Sequence, residues 1–126
     1  MERIVRLQLP PITLTVFLWL LTTTVVAEEP VAPLTFVKTW GQEGSGNGEF
    51  EFPIGIAIHE QTIFVTDHYN HRVQIFNKQG KFLANFGEYG VQPGKFFAPH
   101  TLAFNSRGDL FIVDSFNQRI QKFATR

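Results

Sequence analysis

Hydrophobic and polar positions fall into two regimes along this chain. From Leu7 to Ala27 there is no charged residue, and the run from Ile12 to Leu21 is dominated by apolar side chains. After Glu28-Glu29 the pattern changes to short stretches in which apolar residues alternate with polar or small ones. These stretches are separated by Gly, Pro, Asn and Asp. Alternation of this kind predicts half-buried β-strands bounded by turns. The predicted strands are Thr35–Trp40, Ile54–His59, Thr62–Thr66, Arg72–Phe76, Lys81–Phe86, Thr101–Asn105, Leu110–Val113 and Arg119–Ala124. In Ile54–His59, Ile54, Ile56 and Ile58 point one way, and Gly55 and Ala57 the other. A face of such small residues allows a neighbouring sheet to approach closely. No segment beyond residue 27 carries a helical period.

The strand pattern is stated twice. Gly48-Glu49-Phe50-Glu51-Phe52-Pro53 corresponds to Gly94-Lys95-Phe96-Phe97-Ala98-Pro99, and Phe64-Val65-Thr66-Asp67 to Phe111-Ile112-Val113-Asp114. Asn70-His71-Arg72-Val73-Gln74-Ile75-Phe76 corresponds to Asn117-Gln118-Arg119-Ile120-Gln121-Lys122-Phe123. Gly48 and Gly94 lie 46 residues apart, whereas Asp67 and Asp114 lie 47 apart. The extra residue falls in the turn Ser106-Arg107-Gly108-Asp109. A repeat of this length built from short strands is the sequence signature of a β-propeller blade or a related array. The fold class is therefore all-β, with repeats at about 41–86 and 87–126.

The first 27 residues stand apart. Arg3 and Arg6 precede a short apolar middle, and small residues occupy Val25 and Ala27. This is the pattern of a secretory signal helix cleaved after Ala27. The rival reading is an uncleaved anchor, since the uncharged run is just long enough to span a bilayer. Pro10-Pro11 and three threonines weigh against the anchor. Either reading puts the repeats outside the cytoplasm, secreted or periplasmic, with any membrane contact confined to residues 7–27. Residues 28–34, with Pro30 and Pro33, form a linker, and residues 35–126 the repeat segment. The 14 Phe and a hydrophobic fraction of 44% suit a packed core. The chain has no Cys, which excludes disulfides and thiolate metal sites. Residues 28–126 hold nine Lys/Arg and ten Asp/Glu, a net charge of −1 that gives no basic face for nucleic acid.

Six polar residues recur at fixed places: Asp67, Asn70 and Arg72 in the first copy, Asp114, Asn117 and Arg119 in the second. Each Asp ends a strand and each Arg opens the next. Asp and Asn side chains can hold a tight connection through local backbone N–H groups. The Arg can pair with the Asp across the hairpin. These positions read as structural, because they appear once per repeat.

The spaced elements Gly48…Phe50…Pro53-x-Gly55-x-Ala57, Phe64-Val65-x-Asp67, Asn70-His71-Arg72-Val73-Gln74-x-Phe76 and Gly80-Lys81-Phe82 resemble the NHL repeat. That resemblance covers nearly all of residues 35–126. It implies blades of four antiparallel strands, with Ile54–His59 innermost and Lys81–Phe86 outermost in the first. The stretch Gly94-Lys95-Phe96-Phe97-Ala98-Pro99-His100-Thr101-Leu102-Ala103 is similar to a segment of the peptidyl-α-hydroxyglycine α-amidating lyases. In that family a Pro-His opening an innermost strand supplies one of three zinc ligands at the central channel, and His100 matches it. Ile54 stands at the corresponding place in the first copy. The lyases also carry an active-site Tyr two residues past the strand-ending Asp, a position that Tyr69 matches. Their catalytic Arg has no counterpart here.

Other candidate chemistry is thin. A lone channel His commonly bonds to backbone, whereas a catalytic zinc needs convergent ligands. His59, His68 and His71 form a second cluster, without an acidic or Cys partner. The Gly-rich run Gly41–Gly48 lacks the Gly-Lys-Ser/Thr of a phosphate loop. Ser45, Ser106 and Ser115 are not in a nucleophile elbow.

Two blades alone do not close a propeller, which needs roughly four to eight. The repeats therefore imply a fragment of a ring of the six-bladed type, an open pair that binds a partner, or self-association. In the last case Thr35–Trp40 would complete the second blade of a neighbouring copy, and three copies would place three His100 at one channel. The chain reads as a binding or scaffolding module for a protein or peptide. The competing class is a zinc-dependent lyase with His100 as ligand and Tyr69 as proton acceptor.

Overall fold

The computed structural model describes residues 32–124, together with the backbone of residues 5–8 and 22–25. The chain divides into two compact units, Met1–Val37 and Lys38–Arg126. In the first unit β1 (Val5–Gln8) and β2 (Thr22–Val25) pair antiparallel, with Val5 opposite Val25. The expected signal helix and its cleavage point otherwise lie outside the described residues, as does most of the linker.

The second unit is two antiparallel sheets. The first joins β3 (Pro53–His59), β4 (Thr62–Asp67), β5 (Arg72–Asn77) and β6 (Phe82–Phe86) in sequential order. The second joins β7 (Pro99–Phe104), β8 (Leu110–Asp114) and β9 (Arg119–Phe123), also in order. Among the described residues these are one four-stranded blade and three strands of another, as the strand pattern implies. The only helical turn among the described residues of this unit is a short 3₁₀ segment, Ser115–Asn117.

The duplication extends to backbone detail. Both inner strands carry an irregularity after their Pro, between Pro53 and Ile56 and between Pro99 and Leu102. Phe52 and Ala98 both adopt left-handed conformations, φ 58° and 56°, as do His71 and Gln118, both at φ 55°. The loops before the inner strands form matching isolated bridges, Glu43 with Phe50 and Tyr89 with Phe96. The one-residue difference sits in the β7–β8 turn. There the Asn105 side chain accepts from the backbone N–H groups of Arg107 and Asp109, closing the longer loop.

One apolar cluster joins the blades: Phe64 and Val73 from the first, Phe96, Leu102, Leu110 and Ile112 from the second. Val73 and Ile112 are fully buried. A second cluster, Ile63, Val65 and Phe76, lies on the alternate face of the first blade, with Phe50 and Phe82 beside it. At Gly55 the blades approach closely: a Cβ there would stand 2.6 Å from the His100 carbonyl oxygen. The small face of β3 therefore admits the second blade, as its alternation implies.

The strand expected at Thr35–Trp40 does not form; residues 32–40 have no regular structure. A strand needs a ladder partner for its backbone groups, and none pairs with this segment among the described residues. Trp40 instead lies over Gly80, where a Cβ would meet its ring at 2.8 Å. The remaining strands sit where the alternation puts them, to within a residue or two at their ends.

Candidate functional site

The repeated polar residues build one network per blade. Asp67 is fully buried at the end of β4. Its carboxylate accepts from the Glu51 N–H (2.8 Å), Asn70 Nδ2 (3.0 Å), Arg72 Nε (2.7 Å) and Gln74 Nε2 (2.9 Å). Asp114 repeats this with the Phe97 N–H (2.8 Å), Asn117 Nδ2 (2.9 Å), Arg119 Nε (2.7 Å) and Gln121 Nε2 (3.1 Å). The arginines then reach outward, Arg72 to the carbonyls of Gly46 and Glu49, Arg119 to those of Val91, Gln92 and Lys95. The backbone N–H that each Asp binds is not the local one that the sequence suggested. It belongs to the loop before the inner strand, 16 or 17 residues back. Each network thus ties that loop to the β4–β5 or β8–β9 connection.

Burial works to raise the Asp114 carboxyl, but hydrogen bonds from Asn117, the Phe97 amide, Arg119 and Gln121 outweigh it. The group is held below the ordinary aspartate value and stays ionised. Gln74 and Gln121 are members that sequence reading gave no role. Both are placed by the repeat itself, and that recurrence was the signal that could have found them.

Three histidines of the first blade sit at the seam with the second. The His59 ring stacks on Phe104 at 4.6 Å between centroids. His68 is buried, and its Nδ1–H donates to the Pro99 carbonyl at 3.0 Å. His71 Nδ1 instead accepts from the Ala98 N–H at 3.1 Å, so Nδ1 carries a proton in His68 and none in His71. Burial, followed by the charge of neighbouring His68, pushes the His71 pKa down, against the pull of Glu51 and Asp67. The Thr66 hydroxyl accepts from the Gly55 N–H (2.7 Å) and donates to the His100 carbonyl (2.6 Å). These links engage three of the four histidines, and they give the cluster His59, His68 and His71 a structural role at the blade contact.

His100 keeps an exposed ring on the innermost strand β7. Its ring centroid lies 6.0 Å from that of His68, and the Tyr69 ring lies 4.6 Å from the same His68. The structure therefore brings Tyr69 and His100 against a common neighbour, which the sequence had placed in a separate cluster. Among the described residues no three His, Asp or Glu side chains are grouped as a metal ion requires. The donor set of these residues does not fit a zinc site.

Around His68 and His71 the seam is aromatic. Phe116 packs on His68 and Phe97, Phe97 on Tyr89 and His71, and Tyr89 on His71, with centroids 5.0 to 6.0 Å apart. Tyr69, Tyr89 and Phe116 are 48%, 62% and 55% exposed. The 3₁₀ turn presents Phe116, at the position in the second blade that Tyr69 holds in the first.

Two repeated blades, each locked by an Asp-Asn-Arg-Gln network, define an NHL-type β-propeller segment with an aromatic loop surface. The chain belongs to the family described as a 6-bladed beta-propeller (DUF5128), whose model matches residues 48–125. It is 36% identical over 77 residues to Protein brain tumor of Drosophila melanogaster, which covers 60% of this chain and 7% of that protein. It is 40% identical over 57 residues to RING finger protein nhl-1 of Caenorhabditis elegans, covering 44% of this chain and 6% of that one. With Protein lin-41 of Caenorhabditis elegans it shares 45% over 49 residues, 38% of this chain and 4% of the relative. The matched segment is thus less than a tenth of each of these relatives.

Proposed function

We propose that this protein is a binding or scaffolding module whose working surface is the aromatic seam between its blades. One observation carries the reading: Tyr69, Tyr89 and Phe116 remain about half exposed or more, beside loops that the Asp67 and Asp114 networks hold. Large aromatic rings held this way are the side chains that anchor protein interfaces. The repeated Asp, Asn and Arg residues are engaged in holding loops, which leaves the rings as the part free to meet a partner. The similarity to small segments of much longer proteins supports a reusable module. A variant carrying Tyr69→Ala, Tyr89→Ala and Phe116→Ala tests it. It should keep the wild-type circular dichroism and unfolding midpoint while losing a purified partner that the wild type retains. Equal retention by the variant would sink the reading.

A second reading is the lyase. It is favoured by the exposed His100 ring on the innermost strand, with Tyr69 nearby across His68. It requires imidazoles from further blades or further copies. Glyoxylate release from a hydroxyglycine peptide with added zinc, lost in His100→Ala, would support it. No release from an assembled, zinc-supplied sample counts against it. We further propose that the module works outside the cytoplasm, on the leader-like pattern of residues 1–27. The amino-terminal mass of protein recovered from the producing cells tests this, with a start at Glu28 expected.

A further inference from the structure

Beside the aromatic seam lies a carboxylate, that of Glu51, which no described residue bonds or pairs with. Glu51 occupies in the first blade the place that Phe97 holds in the second. Its backbone N–H binds Asp67 and its carbonyl accepts from the Tyr69 N–H at 3.1 Å, so its position beside Tyr69 is fixed. Its side chain is exposed, and its carboxylate makes no ion pair or hydrogen bond with any described residue. It is close enough for its charge to act on His71, which packs against Tyr89 and Phe97. The two arginines of these loops are turned away. Arg72 and Arg119 are held on Asp67 and Asp114 and on loop carbonyls. An exposed carboxylate on a loop bonded to Tyr69, and near the His71 ring on which Tyr89 packs, makes a cation-accepting arrangement. The rings attract a cation through their negative faces, and the carboxylate attracts it directly.

We infer that the seam takes an arginine or lysine side chain of an extended polypeptide, seated against Tyr69, Tyr89 and Phe116 and paired with Glu51. This rests on the reading of the seam as the interaction surface and names its partner class. Arginine suits it better than lysine, because a planar guanidinium can stack on a ring while donating to a carboxylate.

The test uses the full chain and a short acetylated Gly/Ser peptide carrying paired arginines, followed by two-dimensional NMR. A citrulline version of the peptide has nearly the same shape without the charge. The arginine peptide should shift the signals of Tyr69, Tyr89 and Phe116, and citrulline should weaken binding about tenfold. Glu51→Gln should weaken the arginine peptide about threefold, leave the citrulline peptide unchanged and keep the unfolding midpoint. Equal binding of the two peptides, or indifference to Glu51→Gln, overturns the basic partner and leaves the seam as an interface for something else. Failure of the arginine peptide to move any seam signal also overturns it. A single-stranded oligouridylate that displaces the peptide and binds more tightly overturns it in favour of base stacking. The triple alanine variant separates the two levels: only its retention of a purified partner removes the interface reading itself.

Discussion

Asp114 shows how a single residue becomes structural. Its side chain is fully buried, and four groups donate to it: the Phe97 N–H, Asn117, Arg119 and Gln121. Asp114→Ala would take the carboxylate from Arg119 and Gln121, leaving them only loop carbonyls, and leave the Phe97 N–H and Asn117 without this acceptor; losing the buried partner of such a pair costs about 3 kcal/mol. Urea unfolding should show a lowered midpoint of that size, and Asp67→Ala should match it because its network is the same. His71 gives a pH dependence. Its folded pKa lies below the ordinary 6.5, through burial first and then the charge of His68, with Glu51 and Asp67 opposing. The folded state therefore prefers neutral His71, whose Nδ1 must be unprotonated to accept from Ala98. Its contribution is fully present above the unfolded pKa and is lost as pH falls from there through the folded value. Thermal unfolding between about pH 7.5 and pH 5 should show this decline. The decline should be smaller in His71→Gln, a side chain that the equivalent left-handed position already carries as Gln118.

At the scale of the element, two glycines separate packing from backbone strain. A Cβ at Gly55 would meet the His100 carbonyl at 2.6 Å and Thr66 Oγ1 at 2.9 Å, so Gly55→Ala must push β3 from β7. A Cβ at Gly48 meets nothing within 4 Å, but its φ of 81° disfavours any side chain. Overpacking predicts a loss of about 2 kcal/mol or more for Gly55→Ala. Strain alone predicts about 1 kcal/mol for Gly48→Ala. Denaturant midpoints compare the two directly, and a greater cost at Gly48 would contradict the close blade contact. The strands themselves were legible in the sequence, because alternation records which face is buried. Thr35–Trp40 was misread for the same reason. Its alternation resembles a strand, but a strand also requires a neighbour with free backbone groups, and a one-dimensional pattern does not reveal whether a neighbour exists.

The two blades share one core, and this sets how the molecule as a whole unfolds. Ile112 of the second blade is fully buried in the same cluster as Phe64 and Val73 of the first. Ile112→Ala should cost about 3 kcal/mol from lost transfer and the cavity left behind. Amide exchange should then speed up in β4 and β5 as much as in β8, since neither sheet keeps its buried face without the other. Selective loss of protection in β8 and β9 would mean the blades unfold independently. The surface at this seam is also a property of the whole: Tyr69 and Phe116 come from equivalent places in different blades and meet around His68.

The sequence by itself determined the repeat, the strands within the two copies and the residues of the Asp-Asn-Arg networks, because each is encoded by spacing along one blade. It also marked Tyr69 and His100 as places where the copies differ. Only the tertiary structure decided which groups lie together across the blades. Nothing in the spacing of His68, Pro99 and Phe116 states that they touch. Nor does it show that His71 and Ala98 share a hydrogen bond, that Glu51 stays unpaired, or that Thr35–Trp40 lacks a ladder. Contacts within a blade follow from a local period, whereas contacts between blades depend on how two sheets pack, and that packing is set by their small faces and shared core.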